Sequence, residues 1–292
     1  MKSKYFNSEY LGEQTPWFGP VIEGYRSIVS SATMDLKKEF TYDLTAWVWD
    51  NAGNLLDERV LGSCKARDLL TIDVQAEFPV IAGRSGVVGV LCHAIGAVTP
   101  RVHENWVTRF ISASGKVTTS ITSGNPGNLN FPARSGRPYA YRMCSQELVS
   151  DADWKTLSWH ANVSADPGYD KTIHPILVAI NEQGERLESA PIAIPAFGAV
   201  LVDIEEIFGD RLRPHLKNNR GRGSYMMHAA DGGAMGYHFL QRRTTGELAG
   251  DHTRPILMYL NAGYGSAKDS TPATALNFLK SSVRYFRFRA GL

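Results

Sequence analysis

A chain of 292 residues that is 43% hydrophobic and 21% charged has a globular composition with room for two cores, which excludes a disordered protein. A formal net charge of +2 without a long basic run excludes nucleic acid as a partner drawn in by global attraction. Three cysteines, Cys64, Cys92 and Cys144, with no C-x-x-C spacing exclude a disulfide framework and a cysteine-rich zinc site.

Residues 1–24 are polar and aromatic. Pro16-Trp17-Phe18-Gly19-Pro20 makes part of them a rigid arm, expected to drape over a domain or a neighbouring subunit. The N-terminus has no apolar core of the signal-peptide type, so a cytoplasmic protein is expected. The longest apolar run, residues 191–202, is interrupted by prolines and too short for a bilayer, so no membrane partner is expected.

The first clear element is residues 41–49, T-Y-D-L-T-A-W-V-W, rich in β-formers on both faces. It ends at the turn cluster Asp50-Asn51-Ala52-Gly53-Asn54 and resumes over residues 55–61. Residues 68–74 and 85–94 read as further short strands. The second half repeats this order: a strand at 175–180, a turn at Asn181-Glu182-Gln183-Gly184 and a return strand at 186–194. Residues 201–208 match 71–78, with Asp203 and Phe208 falling on Asp73 and Phe78 at a spacing of 130, and a short helical turn is expected over 204–208. Asp73 and Asp203 are expected to close their loops by accepting backbone hydrogen bonds.

The stretch 224–243 places His228 and His238 around Asp231-Gly232-Gly233, and the stretch 87–110 holds His93 and His103. Both histidine pairs are 135 residues apart (228 − 93 and 238 − 103). Asp-Gly-Gly between apolar runs predicts a hairpin, and a three-residue loop would put His228 and His238 on one face.

Together these signs predict an all-β protein: two tandem, internally duplicated antiparallel β-sandwiches, jelly-roll-like, related by an approximate twofold axis. The divisions are an arm at 1–24, a first sandwich at 25–122, a Gly/Pro-rich linker at 123–140, a second sandwich at 141–265 and a tail at 266–292. In the tail, Arg284, Arg287 and Arg289 alternate with Tyr285, Phe286 and Phe288, either as a strand with one solvated face or as a subunit contact. A homo-oligomer formed through the arm or the tail follows from that second reading.

No G-x-S-x-G, phosphate loop, G-x-G-x-x-G or H-E-x-x-H is present, which argues against α/β serine hydrolases, P-loop enzymes and dehydrogenases, and no nucleotide cofactor is expected. The candidate chemistry lies in the histidines. If the two halves face each other, His93, His103, His228 and His238 converge, with Asp231 or Glu104 completing or orienting them. Tyr237, Arg242 and Trp106 would position a small-molecule substrate. The imidazoles could instead hold a divalent metal, or sit at strand ends bonded to turn carbonyls. Trp47 and Trp49 share a strand face, as core or as an aromatic platform. The function expected is a lyase, isomerase or hydrolase without nucleotide cofactor. The alternative is a non-catalytic ligand-binding or assembly protein.

Overall fold

The computed structural model describes residues 3–12, 14–33, 39–94, 105–123, 141–142, 146–229 and 231–253. These residues are mostly β-strand, arranged in four antiparallel sheets with a few short helices, so the all-β expectation holds. No helix among them is long and apolar enough to cross a membrane. The linker and the tail lie outside the described residues, as do His103, Glu104 and Cys144.

In the first half, β1 (Trp17–Val21), β6 (Gly86–His93), β3 (Thr41–Asp50) and β4 (Leu55–Lys65) form one sheet in that order. Strands β5 (Leu69–Asp73), β2 (Tyr25–Ala32), β7 (Asn105–Ser112) and β8 (Val117–Ser123) form a second. In the second half, β10 (Gln146–Val149), β15 (Arg222–Ala229), β12 (Ile176–Ile180) and β13 (Arg186–Glu188) form a third, with the short β9 (Tyr141–Arg142) beside β15. The fourth sheet is β14 (Ala199–Asp203), β11 (Trp154–Ala161), β16 (Met235–Arg242) and β17 (Leu248–Thr253). The third and fourth sheets thus repeat the strand order of the first and second, each strand nine places further along.

Local chemistry sets the same devices in both halves. Asp73 and Asp203 cap the short helices α2 (Val74–Glu77) and α3 (Ile204–Phe208), their carboxylates accepting from the N–H of Ala76 and Glu205. Such a cap supplies a partner for a donor that the helix start leaves open. The turns after β3 and β12 also agree. Asp50 Oδ1 accepts from Asn54 N and Asn181 Oδ1 from Glu185 N, and Gly53 and Gly184 carry φ of 82° and 79°, a left-handed backbone that residues with a Cβ rarely adopt.

Three apolar cores follow. One lies between the first and second sheets and holds Trp17, Val29, Val48, Ile72 and Trp106. Another lies between the third and fourth sheets and holds Leu177, Val202, Tyr225 and Met227. The largest core joins the halves: Trp47, Trp49, Val87 and Leu91 from β3 and β6 meet Leu157, Trp159, Tyr237 and Phe239 from β11 and β16. This seam pairs the first sheet with the fourth, which are not counterparts in strand order, whereas a strict twofold relation would bring identical faces together. The arm packs into the same seam. Phe6, just ahead of α1 (Ser8–Leu11), sets its edge against Trp47, Trp49 and Phe197 at centroid distances of 5.5, 5.2 and 5.1 Å.

Candidate functional site

The stretch 222–242 does not form the expected hairpin. β15 bonds to β10 and β12 in the third sheet, and β16 bonds to β11 and β17 in the fourth, so Asp231-Gly232-Gly233 carries the chain between sheets. Turn chemistry proposed a reversal, but pairing with strands distant in sequence took precedence. His228 and His238 are therefore not cross-strand neighbours.

Register also dissolves the equal spacing of the histidines. Trp49 and Ile180, each preceding the matched turn, pair with Val87 and Ser224. His93 lies six residues past Val87 (93 − 87), whereas His228 lies four past Ser224 (228 − 224), which makes it the counterpart of Leu91. In the other sheets the chain of partners runs Asp73, Ile28, Arg109 and Asp203, Leu157, Phe239. His238 precedes Phe239, so its counterpart is Thr108, not His103.

The described imidazoles are thus spread over three sheets: His93 in the first, His228 in the third and His238 in the fourth. Among the described residues no group of three or more His, Cys, Asp and Glu side chains could hold a metal ion. His93 ends β6, stacks on Tyr10 with ring centroids 3.8 Å apart, and has its pKa lowered by burial. The predicted substrate residues disperse as well. Trp106 is stacked on Trp17 in the first-half core, Tyr237 is fully buried in the seam, and Arg242 lies over the exposed side of Trp154. Trp47 and Trp49 do share a face, inside the seam core.

His238 instead belongs to a set that sequence reasoning did not assemble. Tyr225 donates through its hydroxyl to Ser158 Oγ at 2.9 Å, and Ser158 Oγ lies 2.6 Å from His160 Nε2. His238 Nδ1 lies 3.1 Å from the Tyr225 oxygen. Since Tyr225 gives its one proton to Ser158, His238 Nδ1 must donate to Tyr225. Ser158 and His160 alternate on β11, and Tyr225 reaches across from β15, so the set bridges the third and fourth sheets. Ser158, His160 and Tyr225 are fully buried. Burial alone drives the His160 pKa down to about 3 and raises that of Tyr225 strongly, although its bond to Ser158 pulls the latter back. His160 Nδ1 is buried and has no hydrogen-bond partner among the described residues. Ser158 and His160, two residues apart, were the only trace of this set in the sequence.

Asp231, expected to orient one of the four histidines, holds His174 instead. Its carboxylate accepts from His174 N at 3.1 Å and lies 3.0 Å from His174 Nδ1, with side-chain exposures of 33% and 54%. Lys171 Nζ donates to the Asp231 carbonyl. This ties the loop after β11 to the connection between β15 and β16.

One cavity lies where the halves meet. Its volume is about 220 Å³, and it is lined by Tyr25, Phe110, Ser112, Lys116 and Thr118 from the first half and by Trp154, Glu247 and Leu248 from the second. Lys116 pairs with Glu247 across it, which lowers the Glu247 pKa. Gln241 Nε2 donates to the Tyr25 hydroxyl at 2.9 Å, and that hydroxyl donates to the Gly246 carbonyl.

No family model matches the chain, and no curated protein matches it. Among solved structures it is similar to the crystal structure of Bacteroides uniformis β-glucuronidase at 10% identity and a TM-score of 0.16. That match covers 82% of this chain and 25% of the other, so the chain spans about a quarter of that protein. A likeness of this size carries nothing about fold or chemistry.

Proposed function

We propose that the protein is a non-catalytic binding protein made of two tandem, related, jelly-roll-like β-sandwich units, with ligand contacts at their seam. The repeated strand order and the matched cap and turn aspartates and asparagine support the tandem reading. A single observation carries the binding reading: the hydrogen-bonded set of Ser158, His160 and Tyr225 is sealed from solvent. A nucleophile must reach its substrate at contact distance, and a core serine cannot.

The 2.6 Å contact between Ser158 and His160 favours the second reading, an enzyme that opens its second unit to expose a serine nucleophile and its base. Labelling of the native chain with a fluorophosphonate separates the two. The binding reading expects no adduct on Ser158 under conditions where the exposed His174 reacts with diethyl pyrocarbonate. An adduct on Ser158 that disappears in Ser158→Ala and in His160→Gln would replace it with the enzyme reading.

A further inference from the structure

We infer that the seam cavity binds one small polyhydroxylated ring of pyranose size. This deepens the binding reading and rests on it. The walls supply what such a ring needs, and they do so from both halves. Tyr25 and Trp154 offer aromatic surface, and the C–H face of a saturated ring packs on aromatic surface without losing hydrogen bonds. Lys116 and Glu247 stand side by side as one ammonium donor and one carboxylate acceptor. Adjacent hydroxyls on a ring can satisfy both at once, each giving a charge-assisted hydrogen bond. Ser112 and Thr118 also line the wall, the Thr118 hydroxyl donating to the Leu248 carbonyl.

Size and charge narrow the class. A volume of about 220 Å³ falls below the range of drug-sized pockets, so the site takes one ring rather than an extended chain. Lys116 and Glu247 give the wall one cationic donor and one anionic acceptor, which suits a polyol that both donates and accepts. Arg242 lies beside the same wall, 3.8 Å from Glu247 and at 6.0 Å over the Trp154 ring. Binding sites of this kind occur by preference at junctions between units.

The test is saturation-transfer NMR on the full chain, with methyl α-D-glucopyranoside, methyl α-D-galactopyranoside and methyl α-D-mannopyranoside as probes and cyclohexanol as the control ring without a hydroxyl array. The proposal expects transfer to the ring protons of at least one glycoside and not to cyclohexanol. It expects that signal to vanish in Trp154→Ala and its affinity to fall about tenfold in Glu247→Gln, a surface change that keeps the shape of the wall. No transfer to any of the three glycosides, equal transfer to cyclohexanol, or transfer unchanged in Glu247→Gln would overturn it. Fluorophosphonate labelling of Ser158 reads the binding proposal itself, so the two can fail separately.

Discussion

At the scale of single residues, the second unit stakes its core on one directed chain of hydrogen bonds. His238 gives to Tyr225 and Tyr225 to Ser158, whose oxygen lies 2.6 Å from His160 Nε2. Removing the hydroxyl with Tyr225→Phe leaves two buried polar groups short of a partner, at a cost of about 1–3 kcal/mol, to be read as a lower urea midpoint. His160 makes the fold sensitive to acid. Its pKa is about 3 folded and near 6.5 when the chain unfolds, so above pH 6.5 both states are neutral and stability is complete. As the pH falls below 6.5 the unfolded chain takes up a proton that the folded chain refuses, and stability is lost progressively until about pH 3. At roughly pH 4.5 the loss from this residue is about 3 kcal/mol. Urea unfolding from pH 7 to 4.5 should fall steeply in the native chain and less steeply in His160→Gln. Equal slopes would mean that His160 is not the group responsible.

At the scale of elements, the two halves use equal parts in unequal surroundings. Gly53 and Gly184 occupy the same place in the matched turns with the same left-handed backbone. A Cβ on Gly53 would lie 2.0 Å from the Ala196 carbonyl oxygen across the seam, whereas one on Gly184 meets nothing within 4 Å. Gly184→Ala should therefore cost only the left-handed strain, about 1 kcal/mol, and Gly53→Ala at least twice that, as chemical denaturation of the pair will show. The cap aspartates differ likewise. Asp203 also holds Lys155 Nζ at 2.6 Å in a largely covered pair, while Asp73 holds the exposed Arg26. Loss of either cap costs about 1 kcal/mol, and Asp203→Ala should exceed Asp73→Ala because Lys155 is left partly covered and unpaired.

At the scale of the molecule, the largest core spans both halves of the described chain. It draws on β3, β6, β11 and β16 together, and Phe6 from the arm fills the space between two tryptophans and Phe197. Calorimetry should therefore show a single transition. Phe6→Ala empties an aromatic site at the centre of the seam, costs about 3–5 kcal/mol and should shift tryptophan emission to the red. Two resolved transitions in the native chain would show that the units unfold apart.

The sequence by itself determined the local parts: the all-β composition, the strands around Trp47 and Ile180, the turn clusters, and the cap roles of Asp73 and Asp203. These are set by neighbours a few residues apart, through side-chain alternation and side-chain bonds to nearby backbone. Only the tertiary structure decided which strands pair. It sent β15 and β16 to different sheets despite their hairpin-like turn, turned the equal histidine spacing into unequal registers, and brought Ser158, His160, Tyr225 and His238 together. Strand pairing is a choice among partners far apart in the chain, made by which faces bury most apolar surface together, and the sequence does not spell that choice out locally.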